Sequence, residues 1–441
     1  MYNTILTTLP NGLRLALHPM PATYSATVVA VVGTGSRYED DAQGGISHFL
    51  EHMLFKGTRR WSTARQISDT IERLGGRLNA STSREVTSYY TKVPSRHVDT
   101  GLDLIADMLR HPLIDPSEVE RETGVILEEL AQGEDVPATV GAHLLQRTLW
   151  GAHPLGRPII GSRESVSAVT AGTLRAHMGA HYVPERTVLS IAGNVDPDAL
   201  TPRIEELFGD WPAAPAPGAL PAVYPTAGER TTLARRDGQA HLYIAVPGLS
   251  MDHPDYMAFA ILAEILGGGM SSRLFAEVRE RRGLAYSVGA SAGAMSDHGA
   301  LAIHAGVAPA KALGALEVIL RELHRLSVEP VGGDELERVR GHYEGTLLLA
   351  LEDSYSVAVR NGRSVLQRGY ARTPEESLAL VEQVGADDIQ RLAAAMTAPD
   401  DLRLTVVGPF DDVTPFADVI AAPISLTTLV SPAEDEAGAA R

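Results

Sequence analysis

The chain has 441 residues, no cysteine and a formal net charge of −17. Disulfides and thiolate ligands are thereby excluded, and any metal must be held by His, Asp or Glu. The acidic balance argues against nucleic acid or an anionic membrane as the main partner; it would suit cationic peptides, but it reads first as solubility. The length is too great for one hydrophobic core and implies at least two domains. No apolar run approaches the roughly 20 residues that span a bilayer. The segment Met1 to Ile5 has neither a basic region before an apolar core nor an Arg-rich amphipathic leader, so a cytoplasmic location is expected.

In chain order, Thr7 to His18 reads as a hairpin turning at Asn11-Gly12. Thr27 to Val32 is a short apolar strand ending at Gly33. Gly44 to Phe55 and Thr63 to Leu74 have helical periodicity, the second stopping at Gly75-Gly76. Leu78 to Val93 alternates as a strand or a bent pair of strands. Helices are expected from His97 to Leu109, from Asp115-Pro116 through Glu129, and on to Trp150. Thr187 to Ala192 is a strand and Pro202 to Phe208 a short helix. The stretch Pro212 to Pro221 has no periodic apolar face and reads as a linker. Beyond it come strands at His241–Val246, Leu301–Ala305 and Leu402–Val407. They alternate with helices at Asp255–Leu266, Ala310–Leu326 and Asp334–Leu349. The polar segment Ser431 to Arg441 reads as a disordered tail.

The two halves repeat. Ala171 to Gly193 superposes without a gap on Ala386 to Gly408, with Leu174 on Ile389, Pro184 on Pro399 and Gly193 on Gly408. The offset is 215, since 399 − 184 and 408 − 193 agree. Expected domains are therefore 1–211 and 226–428, with a Pro/Ala-rich linker at 212–225 and a tail at 429–441. The fold class is α+β: two homologous domains, each a mixed, largely antiparallel sheet packed with helices, facing each other across a cleft.

The chemistry concentrates in His48-x-x-Glu51-His52. On a helix, His48 and His52 share one face and Glu51 lies beside them. Two imidazoles with an adjacent carboxylate make a metal site with a general base attached, in the inverse of the more familiar His-Glu-x-x-His order. Adding 215 to these positions gives Ala263, Leu266 and Gly267, so the scaffold is duplicated and the ligands are not. A hydrolytic zinc site needs a third protein ligand. The helix after Asp115 offers Glu118, Glu120, Glu122, Glu128 and Glu129, and composition does not choose among them. Glu122 and Glu129 are two turns apart on one face, so one can bind metal while the other orients a histidine.

Gly44 to Thr58, followed by Glu122 to Leu130, resembles the pitrilysin/insulinase family of zinc peptidases, most closely its branch of mitochondrial processing peptidases and bacterial relatives. The likeness covers nearly the whole chain, including Leu78 to Glu85 and His153 to Arg157. It implies one zinc per chain held by His48, His52 and Glu129, with Glu51 as general base and Glu122 behind a ligand; Glu128 is the neighbouring alternative for the third position. It also implies that Arg279 and Tyr286, within Gly267 to Val288, bind substrate and stabilise charge on the carbonyl oxygen. Their bland reading is a solvated helix and a packed ring. Gly267 to Gly269 has no Gly-Lys-Ser/Thr continuation, so it is not a phosphate loop. The resemblance further implies an exposed strand edge near Asn79 and Ala80 that would pair with an extended peptide; the bland reading is an ordinary internal strand. The implied function is a zinc endopeptidase acting on peptides or unstructured leader segments, working as a homodimer or with a related subunit. The alternative is a non-catalytic or partner-dependent subunit of the same fold. Manganese or cobalt would also suit two His and a Glu.

Overall fold

A computed structural model describes residues 2–215, 217–222, 230–397 and 399–422. The expected tail at 429–441 and part of the linker at 212–225 lie outside these residues. The chain forms two compact units, neither of them contiguous in sequence. Unit 1 comprises Met1–Gln132, His153–Pro221 and Glu344–Ser377; unit 2 comprises Gly133–Ala152, Ala222–Tyr343 and Leu378–Arg441.

Unit 1 is built on strands β1 (Ile5–Thr8), β2 (Arg14–Pro19), β3 (Ser25–Val32), β4 (Arg77–Thr82), β5 (Thr87–Pro94) and β6 (Thr187–Gly193), in the order β1-β2-β6-β3-β5-β4. Only β2 and β6 run parallel. Gly12 makes the β1–β2 turn at φ 93°, a conformation open to glycine. The stretch Leu78 to Val93 resolves as the β4–β5 hairpin. Five helices of the amino-terminal half follow in order: α1 (Ile46–Met53), α2 (Ala64–Glu72), α3 (Val98–Arg110), α4 (Pro116–Asp135) and α5 (Pro137–Trp150).

The strand β3 explains the discontinuous units. Val28, Ala30 and Val32 pack in one core with Phe49, Leu50, Leu102 and Ile105. Val29 and Val31 pack in a second core with Val188, Val357, Ala358 and Val365. A strand apolar on both faces needs a layer on each. The outer layer is a helix from late in the chain, Ser354–Arg368, capped by the Asp353 side chain, which accepts from the Ser356 amide at 3.1 Å. Gly362 permits its close approach, because a Cβ there would lie 2.7 Å from Val31 Cγ2. Thr63 caps α2, its side chain accepting from the Gln66 amide. The first part of the linker is tied down within unit 1: Arg186 Nη1 donates to Pro217 O at 2.6 Å and Arg37 Nη2 to Leu220 O at 2.8 Å.

Unit 2 repeats the plan with β7 (Thr231–Arg235), β8 (Ala240–Gly248), β9 (Ala285–Ala294), β10 (Gly299–Val307) and β11 (Arg403–Gly408), in the order β7-β11-β8-β10-β9. The one parallel pair is β7–β11, the counterpart of β2–β6. The offset of the repeat reappears in the elements, with helix Ala171–His181 matched by Ala386–Met396. Here the outer layer comes from the early half: α5 lies on β8 and β11, with Tyr243 Oη donating to Ala138 O at 2.6 Å. Each half of the chain thus supplies a covering helix to the other half's sheet.

Two buried histidines and a half-buried third should make stability fall in acid. In unit 1, His177 Nε2 lies 3.2 Å from Ser47 Oγ beneath α1, and the His181 ring packs against His177. Burial pushes His177 down to about 3, and burial followed by the Arg186 charge pushes His181 down to about 4. In unit 2, burial and then the His241 charge push His304 down to about 4. An unfolded histidine takes up its proton near 6.5 while these stay neutral, so the unfolded chain binds more protons as pH drops. Their contribution is intact above about 6.5 and is lost on descent toward 4, on the order of 1 kcal/mol for each. Denaturant midpoints measured across that window should fall steadily, and His304→Gln should make the fall shallower. A midpoint that rises toward acid would contradict this.

Candidate metal centre and active site

The site begins on α1. Ile46, Phe49, Leu50 and Met53 recur at helical spacing and are fully buried, which leaves His48, Glu51 and His52 on the other side. Burying each of those large side chains contributes roughly 1.5–3 kcal/mol, enough to hold so short a helix in place. Its start is unusual. Gly45 precedes it at φ 90°, with Ile160 O where a Cβ would sit. No cap residue serves the first amides; instead the buried Glu39 carboxylate accepts from Gly45 N at 2.7 Å and Ser47 N at 2.8 Å. Burial raises Glu39 to about 7 against the pull of those two bonds.

The third group comes from α4. Asp115 accepts from the Ser117 amide at 2.8 Å and Pro116 takes the first helical position, so the helix starts where the sequence indicates. Just before it, Ile114 is the single non-glycine residue with positive φ among those described, at 45°. Its carbonyl is held by Arg175 Nη2 at 2.8 Å. A β-branched residue in that region is strained, and it stands at the turn that aims α4. Val119, Ile126 and Leu130 face the core.

His48 Nε2 lies 3.8 Å from Glu129 Oε1, and His52 Nε2 lies 3.8 Å from Glu129 Oε2. One ligand atom from each of the three falls within 4.8 Å of the others; Glu128 is not in the group. Ligand atoms around a tetrahedral zinc with bonds of about 2.0–2.2 Å stand roughly 3.3 Å apart, so a small contraction closes the group on a metal. Behind it, His52 Nδ1 pairs with Glu122 Oε1 at 2.8 Å, and Lys56 Nζ lies 2.5 Å from Glu122 Oε2. The first contact fixes the tautomer that turns Nε2 toward Glu129. Beside the group, Thr82 Oγ1 donates to Glu51 Oε2 at 2.5 Å.

The electrostatics suit a cation. Burial, then the neighbouring His52, pushes His48 down to about 4, so it is a neutral donor at physiological pH. Burial also works to lower His52, but the bond and charge of Glu122 prevail and hold it above its ordinary value. Burial raises Glu51, with Thr82 opposing. Glu122 stays below the usual carboxylate range because the bonds from His52 and Lys56 outweigh its burial.

Asn79 and Ala80 pair with Tyr90 and Tyr89 on β4, which is the edge of its sheet. Thr82, at the end of that edge, is the contact to Glu51. Arg279 and Tyr286 belong to unit 2. Arg279 sits in a π-helical turn, Phe275–Arg281, a rare form often found at functional positions. Its Cζ lies 5.6 Å from the ring centre of Tyr286. Tyr286 is the second residue of β9, the edge strand of that sheet, and is 78% exposed, so the reading as a packed ring does not hold.

Sequence reasoning gave no role to Glu39, Lys56 or Thr82. The last two lie in segments already singled out, but nothing in their spacing marks them. Glu39 is nine residues before His48, and no periodicity links a loop carboxylate to a helix start.

Known proteins resemble this chain over most of its length. The family model of the insulinase family, peptidase family M16, matches residues 14–163, and that of the peptidase M16 inactive domain matches residues 168–342. A protein named as an uncharacterized zinc protease of Streptomyces coelicolor is 37% identical over 414 residues, covering 92% of this chain and 90% of its own. One so named from Bacillus subtilis is 36% identical, covering 91% and 97%. The crystal structure of a protease from Helicobacter pylori superposes with a TM-score of 0.87 at 22% identity, covering 93% and 100%.

Proposed function

The chain belongs to the insulinase family, peptidase family M16, and on that premise we propose that it is a zinc-dependent endopeptidase acting on peptides or unstructured leader segments. The observation that carries the reading is the convergence of His48, His52 and Glu129 from two helices, with Glu51 on the same helix face as the two histidines. The donor set fits zinc: two imidazole nitrogens and a carboxylate, with one histidine locked from behind by Glu122.

A metal bound there supplies Lewis-acid chemistry, acidifying water and polarising a carbonyl. The rest falls to side chains. His48 presents a neutral nitrogen because burial disfavours its proton. Glu122 holds the His52 ring by Nδ1. Thr82 keeps one oxygen of Glu51 engaged and leaves the other to take a proton from the attacking water and return it to the leaving amine. An extended substrate would pair with β4 at Asn79 and Ala80 through backbone hydrogen bonds, which orders it without demanding a particular sequence. Arg279 and Tyr286 carry the positive charge and hydroxyl suited to a carbonyl oxygen that gains negative charge. Their support is chemistry and mutual pairing on an exposed edge. The match to an inactive domain begins at residue 168, beyond the metal group, and so does not favour a non-catalytic reading of residues 14–163.

The test is cleavage of a quenched-fluorescent peptide library by the purified protein. Cleavage should disappear with a chelator and return on adding zinc. A protein that binds zinc yet cuts no peptide would favour the non-catalytic subunit instead.

A further inference from the structure

The metal-site contacts continue one residue further than the ligands and Glu122 require. Lys56 lies just past the carboxyl end of α1, where the chain turns: Phe55 N donates to His52 O at 3.2 Å and Lys56 N to Met53 O at 3.1 Å. On the other side Gly57 has φ 151°, with Ser62 O 2.8 Å from where a Cβ would stand. Thr58 N donates to Trp61 O at 2.7 Å. The backbone of Lys56 is therefore fixed on both flanks, and its side chain runs back along the helix to Glu122. The Glu122 side chain is 4% exposed and its two oxygens are divided, Oε1 to His52 Nδ1 at 2.8 Å and Oε2 to Lys56 Nζ at 2.5 Å.

We propose that Lys56 is a positioning residue for His52, acting through Glu122. A buried carboxylate held at one oxygen only can swing about its last torsion and can turn its free oxygen toward other donors. The ammonium pins the second oxygen, so the carboxylate plane is set and the imidazole it grips has one orientation. Without the ammonium, Glu122 can still reach His52, but the ring is held less firmly and Nε2 is aimed less well at the metal.

The inference rests on the reading of His52 as a metal ligand, and the experiment separates the two. Zinc affinity is measured by competition with a chromophoric chelator for the wild type, Lys56→Met, Lys56→Arg, Glu122→Gln, and Lys56→Met combined with Glu122→Gln. The His52 imidazole nitrogen shifts are recorded on metal-free protein at alkaline pH. Lys56→Met should weaken zinc about tenfold, within the range seen when groups behind a ligand are changed, and Lys56→Arg should recover part of it. Combined with Glu122→Gln it should add little, because both act through one contact. The nitrogen shifts should report one tautomer in the wild type and a mixture in Lys56→Met. Additive losses in the double variant, or a His52 tautomer and zinc affinity untouched by Lys56→Met, would overturn the role of Lys56 alone. A wild-type protein that takes up no zinc would overturn the metal reading itself.

Discussion

Glu51→Gln is expected to leave the fold and the metal in place and to abolish most peptide cleavage. The substitution keeps the shape of the side chain, and Thr82 Oγ1, now 2.5 Å from Oε2, can still donate to the amide oxygen. What is lost is the base. An amide does not accept a proton from water at neutral pH, and a positioned general base typically contributes 10²–10⁴-fold. The loss should fall on kcat, with KM nearly unchanged, because Glu51 is assigned to the transition state and not to substrate binding. Burial raises the Glu51 carboxyl above its ordinary value, so the group is strained as an anion and neutral Gln should be no less stable there. The checks are kcat and KM on a peptide from the library, with zinc content measured on the same preparation. Unchanged turnover in a zinc-replete variant would remove Glu51 from the mechanism. Lost turnover together with lost zinc would show instead that it supports the metal.

The difference between Glu51 and its surroundings shows what the sequence made legible. His48, Glu51 and His52 are readable because a helix converts spacing into a shared face, and spacing is what a sequence displays. Glu129 is readable only in part. Its helix offers seven carboxylates, and the choice depends on how α4 is aimed, at a turn that holds the strained Ile114 and an Arg175 contact from far along the chain. The Thr82 contact depends on β4 lying beside α1 and has no local signal. The fold divides the same way. The duplicated plan is legible from the repeat, and the offset of 215 recovers matching helices and strands. The exchange of α5 and Ser354–Arg368 between the two halves of the sequence is not. Thr27 to Val32 is legible as an apolar strand. Nothing local says that the cover of its second face comes from more than 300 residues later. Helix Ser354–Arg368 is itself polar over much of its length and is inconspicuous until its Gly362 is seen against Val31 and Ser190.

His48→Ala should remove zinc and, with it, the stabilisation that zinc confers, while costing the metal-free protein little. The metal-free site holds the histidine under poor terms: its ring is buried, Nδ1 has no partner in the protein, and burial depresses its basicity to about 4. The depressed basicity suits a cation at Nε2, since a neutral imidazole is the form that binds metal. Deleting the ring trades lost packing against relief of an unsatisfied buried nitrogen, so the two effects largely offset one another before metal is added. Once zinc is present the balance tips. A ligand bound only by the folded state at a thousand times its dissociation constant stabilises by about 4 kcal/mol, and a site reduced to His52 and Glu129 keeps little of it. Thermal unfolding of wild type and His48→Ala, each with chelator and with zinc, should therefore give similar midpoints with chelator and a large upward shift with zinc only in the wild type. Equal zinc shifts in both proteins, or stoichiometric zinc in His48→Ala by elemental analysis, would take His48 out of the ligand set. A variant already much less stable in chelator would show instead that the histidine belongs to the core, and that the metal is a secondary occupant of a structure built for packing.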